Sequence, residues 1–209
     1  MMKNRYFRWT MEFLGITAIS FVLKSPSVDQ YWIVLPISLV FYSKWVEYMM
    51  TTTEAQTKVH AQLNFLYKSI GYSPDDNVRC TYHVPTWRHR LLQSTNYIPT
   101  GGGAGRSFPA NKGIIGKAYQ DKMSFVVNFA NGGEYSLKMV SDYGYTADEV
   151  RQRTTDRRSY FCHPLVDENN KVLGLVYFDS STPNRFPDTT SAEMRNLMIK
   201  LDLIRDSII

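Results

Sequence analysis

Two apolar runs, Tyr160–Val166 and Val172–Phe178, flank the polar stretch Asp167-Glu168-Asn169-Asn170-Lys171 and restrict this chain more than any other feature. Both runs are rich in aromatic and β-branched residues, and turn chemistry separates them, so they predict a pair of antiparallel strands. Neither run alternates apolar with polar residues. A strand of that kind has both faces covered, which predicts a hairpin in the interior of a sheet with helices on either side.

The 209 residues suffice for one domain of ordinary size and an appendage. Aromatic residues at 14% and charged residues at 21% predict a packed core and exclude a disordered chain. The net charge of +5 suits an anionic partner, yet the basic residues are spread along the chain and no helix-turn-helix, zinc or RNA-binding signature is present. No nucleic-acid partner is expected. Cys80 and Cys162 both fall in predicted strands, without a CxxC motif or a Cys/His cluster. They read as buried reduced thiols, and neither a metal nor a cofactor is expected.

The N-terminal region carries two further apolar runs, Phe13–Leu23 and Tyr31–Tyr42, joined by KSPSVDQ. Each is shorter than the roughly 17–25 residues a spanning helix needs. Tyr6, Phe7, Trp9, Tyr31, Trp32, Trp45 and Tyr48 flank the runs in the manner of interfacial aromatic belts. Snorkelling by Arg8 and Lys44 extends the usable lengths to Phe7–Leu23 and Tyr31–Tyr48. Residues 1–50 therefore predict a transmembrane helical hairpin, with two buried helices of a water-soluble protein as the alternative. Lys3, Arg5 and Arg8 outweigh the single Lys24 of the connecting loop, which predicts a cytoplasmic N-terminus, an inner-membrane location and a cytoplasmic soluble domain.

From Ser43 to Ile70 there is neither proline nor glycine, and Val59, Leu63, Leu66 and Ile70 form one apolar seam. A connector helix over residues 51–71, stopped by Gly71, is predicted. Thr190–Glu193 reads as a capping box before a last helix with Met194, Leu197, Met198, Leu201, Ile204 and Ile208 on one face. The two stripes predict packing against each other, within one subunit or across a homodimer. Between them the sequence predicts a strand at Asn77–Val84, a loop holding Gly101-Gly102-Gly103, a helix in ANKGIIGKAYQDK, a strand at Ser124–Phe129 and a polar helical region.

This order, with NKGIIGKAY and SYFCHPLVDENNKVLGLVYFDSSTPNRF, resembles a GAF domain over Glu54–Ile209. The matching residues are Gly113, Gly116 and Ala118 in the helix, then Gly174, Leu175, Asp179, Ser180 and Phe186. The resemblance implies an α+β fold over residues 72–209, a central antiparallel sheet flanked by helices, following the N-terminal hairpin. It also implies a small-molecule pocket between the sheet and the helical crossover before the hairpin. Phe125, Val127, Phe129, Tyr143, Tyr145, Phe161 and His163 belong near that pocket on this reading, although an ordinary core uses most of the same residues. Asp179 and Ser180, at a strand end, suit turn bonds to the backbone.

Motifs for catalysis are few. GGGAGR and GIIGK lack the spacing of a phosphate loop. His83 and His163 have no carboxylate at a motif spacing and read as hydrogen-bonded histidines of the core or pocket. Some GAF-like proteins reduce methionine sulfoxide or attach bilin through cysteines, but the two cysteines here reproduce neither pattern. The chain is therefore expected not to be an enzyme. WRHR at Trp87–Arg90 and the group Arg151, Arg153, Arg157 and Arg158 suit nucleotide phosphates, solvent or anionic lipid; Arg158 is taken as the ligand-binding candidate among them. The predicted function is a membrane-anchored cytosolic sensor that binds a small molecule, a nucleotide among the candidates, and passes a signal to a partner. A ligand-gated membrane-disrupting effector of bacterial nucleotide-signalled defence and a scaffold that binds nothing are the alternatives.

Overall fold

The computed structural model describes residues 31–86, 89–152 and 156–208. The chain divides into two units, Met1–Ala55 and Gln56–Ile209. In the first, the described residues belong to the opening part of helix α1 (Tyr31–Ser69). The expected transmembrane hairpin needs correcting. Its first run, Phe13–Leu23, lies outside the described residues, and no helix among the described residues is long and apolar enough to cross a membrane. The reason is local: the apolar run that opens α1 stops at Tyr42, and Lys44, Glu47 and the polar stretch TTTEAQTK follow.

The second unit is built on a six-stranded antiparallel sheet with strands β1 (Val78–Thr86), β2 (Arg90–Gln93), β3 (Ser107–Pro109), β4 (Phe125–Asn128), β5 (Ser159–Val166) and β6 (Val172–Ser180), in the order β3-β2-β1-β6-β5-β4. The β5–β6 hairpin is interior, with β1 on one side and β4 on the other. In the turn Asp167 N–H donates to Lys171 O at 2.9 Å, and the Asp167 carboxylate accepts from the N–H groups of Asn169 and Lys171 at 2.9 and 2.8 Å. Strands β2 and β3 fall within the segment read as loop. They are short edge strands of four and three residues, too brief to show a period in sequence.

Side chains leave the sheet alternately on its two faces. One face packs on the C-terminal part of α1 and on α5 (Ala192–Ile208): Val59, Leu63 and Leu66 of α1 and Met194, Leu197 and Leu201 of α5 meet Cys80, Tyr82, Phe161, Val176 and Phe178. Helix α1 ends in paired bonds from Gly71 N–H to Lys68 O and from Tyr72 N–H to Tyr67 O, the Schellman arrangement. At the start of α5 the cap is Ser191, whose hydroxyl accepts from Met194 N–H at 3.2 Å. Thr190, read as the cap, gives its hydroxyl to Asp188 instead.

The other face carries α2 (Gly113–Asp121), α3 (Gly132–Ser141) and α4 (Ala147–Arg151). Ile114 and Ala118 of α2 and Tyr135 and Met139 of α3 join Val127, Tyr160, Cys162, Leu175 and Tyr177 of the sheet in a second core. Gly113 opens α2 with φ +76°, and a Cβ there would sit 2.7 Å from the Tyr145 hydroxyl, so both backbone and space require glycine. Helices on both faces of an antiparallel sheet make the fold α+β.

Candidate ligand-binding site

Between the sheet and α2–α4 lies a cavity of about 490 Å³, within the usual size range of small-molecule sites. Its sheet wall comes from alternate residues of neighbouring strands. Arg79 on β1, Asp179 on β6 and Tyr160 on β5 stand in one row across the ladder. His83 and Tyr177 stand further along the same face. Tyr97, Arg106, Phe108, Lys112, Tyr135 and Tyr145 complete much of the lining from the loops and helices.

Asp179 is the electrostatic centre. It is 2% exposed. Arg79 donates from Nε to Oδ1 at 2.7 Å and from Nη2 to Oδ2 at 3.2 Å, and Arg157 Nε lies 3.3 Å from Oδ1. Burial pushes the Asp179 carboxyl above the usual aspartate value, while the Arg79 hydrogen bond and the charges of Arg79 and Arg157 pull it back. The Arg79 guanidinium also lies over the Tyr97 ring, 4.0 Å from its centroid. Of the other cations, Lys112 is occupied by both oxygens of Glu149 at 2.8 and 2.9 Å. Arg106 is exposed and has no ion-pair partner among the described residues. Arg79, Arg106, Lys112 and Arg157 together exceed the charge of Asp179 and Glu149, so the lining is net cationic.

His83 is 1% exposed on the cavity wall, and its Nδ1 has no hydrogen-bond partner among the described residues. Phe108 and Tyr177 meet the ring edge-on at centroid distances of 5.6 and 5.9 Å. Burial lowers its pKa to about 3, so the imidazole is neutral. His163, in contrast, is hydrogen-bonded: its Nδ1 meets Ser124 Oγ at 2.7 Å and its Nε2 meets Asp202 Oδ1 at 3.3 Å.

Among the eight candidates named from sequence, Tyr145 lines the cavity. Phe129 stands one layer behind, its ring against those of Tyr135 and Tyr160 at 5.3 and 5.5 Å. Phe125, Val127 and Tyr143 belong to or pack against the same core. Phe161 lies in the core on the opposite face, packed with Phe178 and Phe186, and His163 shares its side of β5. Arg158 bonds through its backbone N–H to Ser180 O at 2.8 Å, and its Nη1 is buried without a partner. Of the two basic clusters, Trp87, Arg88 and Arg153 lie outside the described residues; Arg90 braces the sheet edge through Ser107. Ser180 makes the expected turn bond, from Thr182 N–H at 3.1 Å, whereas Asp179 turns inward to the arginines.

Sequence reasoning passed over Arg79, Arg106, Tyr160 and Tyr177 as cavity residues; His83, read as a hydrogen-bonded histidine of the core or pocket, does touch the cavity, but its Nδ1 has no hydrogen-bond partner among the described residues. Arg79, His83 and Asp179 carried a usable signal, since a charged or polar residue inside a strand covered on both faces needs a buried partner or a ligand. The thiols stand apart from this lining. Both are fully buried, Cys80 on the side of α1 and α5 and Cys162 in the core under α2–α4, and burial pushes both above the usual thiol value.

The sheet order, the α2 crossover and the cavity between them define a GAF-like fold. The chain is similar in structure to the GAF domain/HD domain protein of Geobacter sulfurreducens, with a TM-score of 0.52 at 11% identity over 73% of this chain and 93% of that one. It is similar to the GAF domain of a two-component sensor histidine kinase from Bacillus halodurans, with a TM-score of 0.50 at 13% identity over 71% and 92% of the two chains. The reduced form of fRMsr of Staphylococcus aureus has a TM-score of 0.50 at 16% identity over 78% of this chain and 95% of that chain. At such identities the likeness establishes the fold alone. No protein-family model matches the sequence, and no curated protein is similar to it.

The fRMsr likeness overturns one sequence expectation. The fRMsr of Staphylococcus aureus, a free methionine-R-sulfoxide reductase, has a similar fold, so failing to find catalytic motifs did not justify excluding an enzyme. The physical reason is that chemistry in a cavity depends on side chains brought together from separate strands and loops, which a linear motif does not record.

Proposed function

We propose that residues 56–209 form a ligand-binding regulatory domain whose cavity takes a small anionic molecule, with a nucleotide as the first candidate. One observation carries this reading: a net cationic, tyrosine-walled cavity of about 490 Å³ in which Arg106 has no ion-pair partner among the described residues. Guanidinium groups pair with carboxylates and phosphates, and the aromatic lining suits a ring. The deciding experiment is native mass spectrometry and calorimetry on the full chain. A co-purifying anion, or saturable binding of a nucleoside monophosphate, supports the reading; an empty protein that binds no anion supports the scaffold alternative.

Signal output on this reading runs through the face covered by α1 and α5 and reaches a partner protein or a second copy. Phe65, Ile199 and Leu203 are exposed at 76%, 61% and 68%, and Phe65 and Leu203 line an apolar groove of about 520 Å³. Light scattering of the wild type and Leu203→Glu tests self-association there. The proposed location is the cytoplasmic side of the inner membrane, on the grounds of the N-terminal apolar runs, their aromatic flanks and the basic arm. Attachment does not require a spanning helix, because an apolar segment lying in the interface suffices. Fractionation before and after an alkaline wash distinguishes peripheral from integral attachment.

A further inference from the structure

Charged side chains surround the Tyr97 phenol in this cavity, and their charges do not balance. Burial raises the phenol above the usual tyrosine value; of the charges acting on it, Asp179 raises it further, while Arg79, Arg106 and Arg157 lower it. All five side chains line the cavity, and the Arg79 guanidinium lies over the Tyr97 ring at 4.0 Å. Lys112, the remaining cation of the lining, is neutralised by Glu149. Three guanidinium groups therefore face one carboxylate, an excess of two positive charges. Asp156 lies 3.4 Å from Arg157 Nε, but its side chain is 79% exposed and outside the lining, where water weakens its charge.

The donors of this cluster are within reach of a bound molecule. The Arg79 side chain is 31% exposed, and its Nη1 makes no hydrogen bond among the described residues, since Nε and Nη2 serve Asp179. Arg106 is exposed, and its side chain is unpaired among the described residues. Tyr97 is only partly buried. A singly charged group balances one of the two excess charges and leaves the other in a partly enclosed site; a dianion balances both. Carboxylates and phosphate diesters carry one charge. A phosphate monoester carries close to two near neutral pH, and its three terminal oxygens can accept from two guanidinium groups and a phenol together.

We propose that Arg79, Arg106 and Tyr97 form a subsite for the dianionic phosphate of a soluble phosphate monoester, with Asp179 fixing Arg79 in place. This rests on the ligand-binding reading above and narrows it, because monoesters are bound in preference to diesters and carboxylates.

The test measures calorimetric binding to the full chain at about pH 7.5, with adenosine and guanosine 5′-monophosphates and the methyl ester of each, which keeps the nucleoside and removes one charge. The wild type is expected to bind at least one monophosphate about 10-fold more tightly than its ester, the worth of one charge-assisted contact. Arg106→Gln should bring that ratio towards one, and Arg106→Lys, which keeps the charge, should retain most of it. A wild-type ratio near one overturns the dianion assignment and leaves the ligand-binding reading standing. A ratio retained in Arg106→Gln shows that the ester is disfavoured by its methyl group and not by its charge, and it overturns the subsite. Vesicles containing phosphatidic acid present the same chemical group on a lipid. Their capture by the wild type and not by Arg106→Gln, with no binding of the soluble monoesters, overturns the soluble ligand. Failure to bind any of the four soluble probes, without such vesicle capture, overturns the ligand-binding reading and the subsite with it.

Discussion

Arg79 holds Asp179 through both carboxylate oxygens, at 2.7 and 3.2 Å, from directly across the β1–β6 ladder. The pair ties two central strands together at the cavity. Asp179 is 2% exposed and the Arg79 side chain 31%, so removing the carboxylate leaves guanidinium charge in a partly buried site. Asp179→Ala is expected to destabilise the domain by about 3 kcal/mol, the low end for breaking a buried pair, because Arg79 retains access to water. Urea denaturation measures it, and a change below about 1 kcal/mol, the range of surface pairs, would refute the structural role.

Arg106 makes the opposite case. It is exposed and without an ion-pair partner among the described residues, so Arg106→Glu is expected to leave the melting temperature within error of the wild type. The same change should weaken a phosphate-bearing probe by at least about 10-fold, through loss of a charge-assisted contact and gain of a repulsive one. Calorimetry at two salt concentrations checks this, since the wild-type affinity should fall with added salt more steeply than that of the variant.

Acid should weaken the fold in two stages. Burial holds His83 to about 3, below the ordinary 6.5, so its neutral form favours the native state; that contribution is complete above pH 6.5 and lost as pH falls towards 3. Burial also lowers His163, which acts in the same sense. Glu149 is depressed to about 2, first by the Lys112 hydrogen bond and then by the Thr146 N–H, so its contribution persists to about pH 4.5 and disappears below it. Melting curves across pH should show His83→Phe flattening the upper stage and Glu149→Gln the lower. Parallel profiles for wild type and both variants would contradict these assignments.

Gly174 lies directly beneath the Tyr82 ring and hydroxyl, where a Cβ would overlap both. Gly174→Ala should cost about 1–3 kcal/mol by overpacking. The Tyr82 hydroxyl is buried without a partner among the described residues, so Tyr82→Phe is expected to be neutral or stabilising by about 1 kcal/mol. In the Tyr82→Phe background the cost of Gly174→Ala should shrink but persist, because the ring remains. Additive effects in a double-mutant cycle would show that the two positions do not meet.

The strands of the hairpin, the α2 crossover and the stripe Val59, Leu63 and Leu66 were legible because each is a periodic or continuous apolar pattern. The choice of face was not. Tyr160 and Cys162 face α2–α4 while Phe161 packs toward α1 and α5, yet all lie in one unbroken buried run. When both faces are apolar, the two parities look alike in sequence, and only the pairing register separates them. The cavity was legible in kind and not in detail, since Arg79 and His83 of β1, Arg106 before β3 and Asp179 of β6 come from three separate segments. Asp179 shows why: beside a turn its carboxylate has a local use, and only the Arg79 partner 100 residues away reveals the other.

The alternation along β1 also governs how such a domain diverges. Val78, Cys80 and Tyr82 are committed to the layer of α1 and α5, while Arg79 and His83, of the opposite parity, face the cavity. Adjacent codons therefore answer to separate demands, and cavity-facing positions are free to drift toward new ligands while their immediate neighbours preserve the scaffold. A single-residue insertion in the strand has the opposite effect: it exchanges the two sets at once, turning charged groups into the apolar layer and apolar groups into the cavity. Lineages carrying this sheet should accordingly vary by substitution in β1 and by insertion only in the loops at its ends.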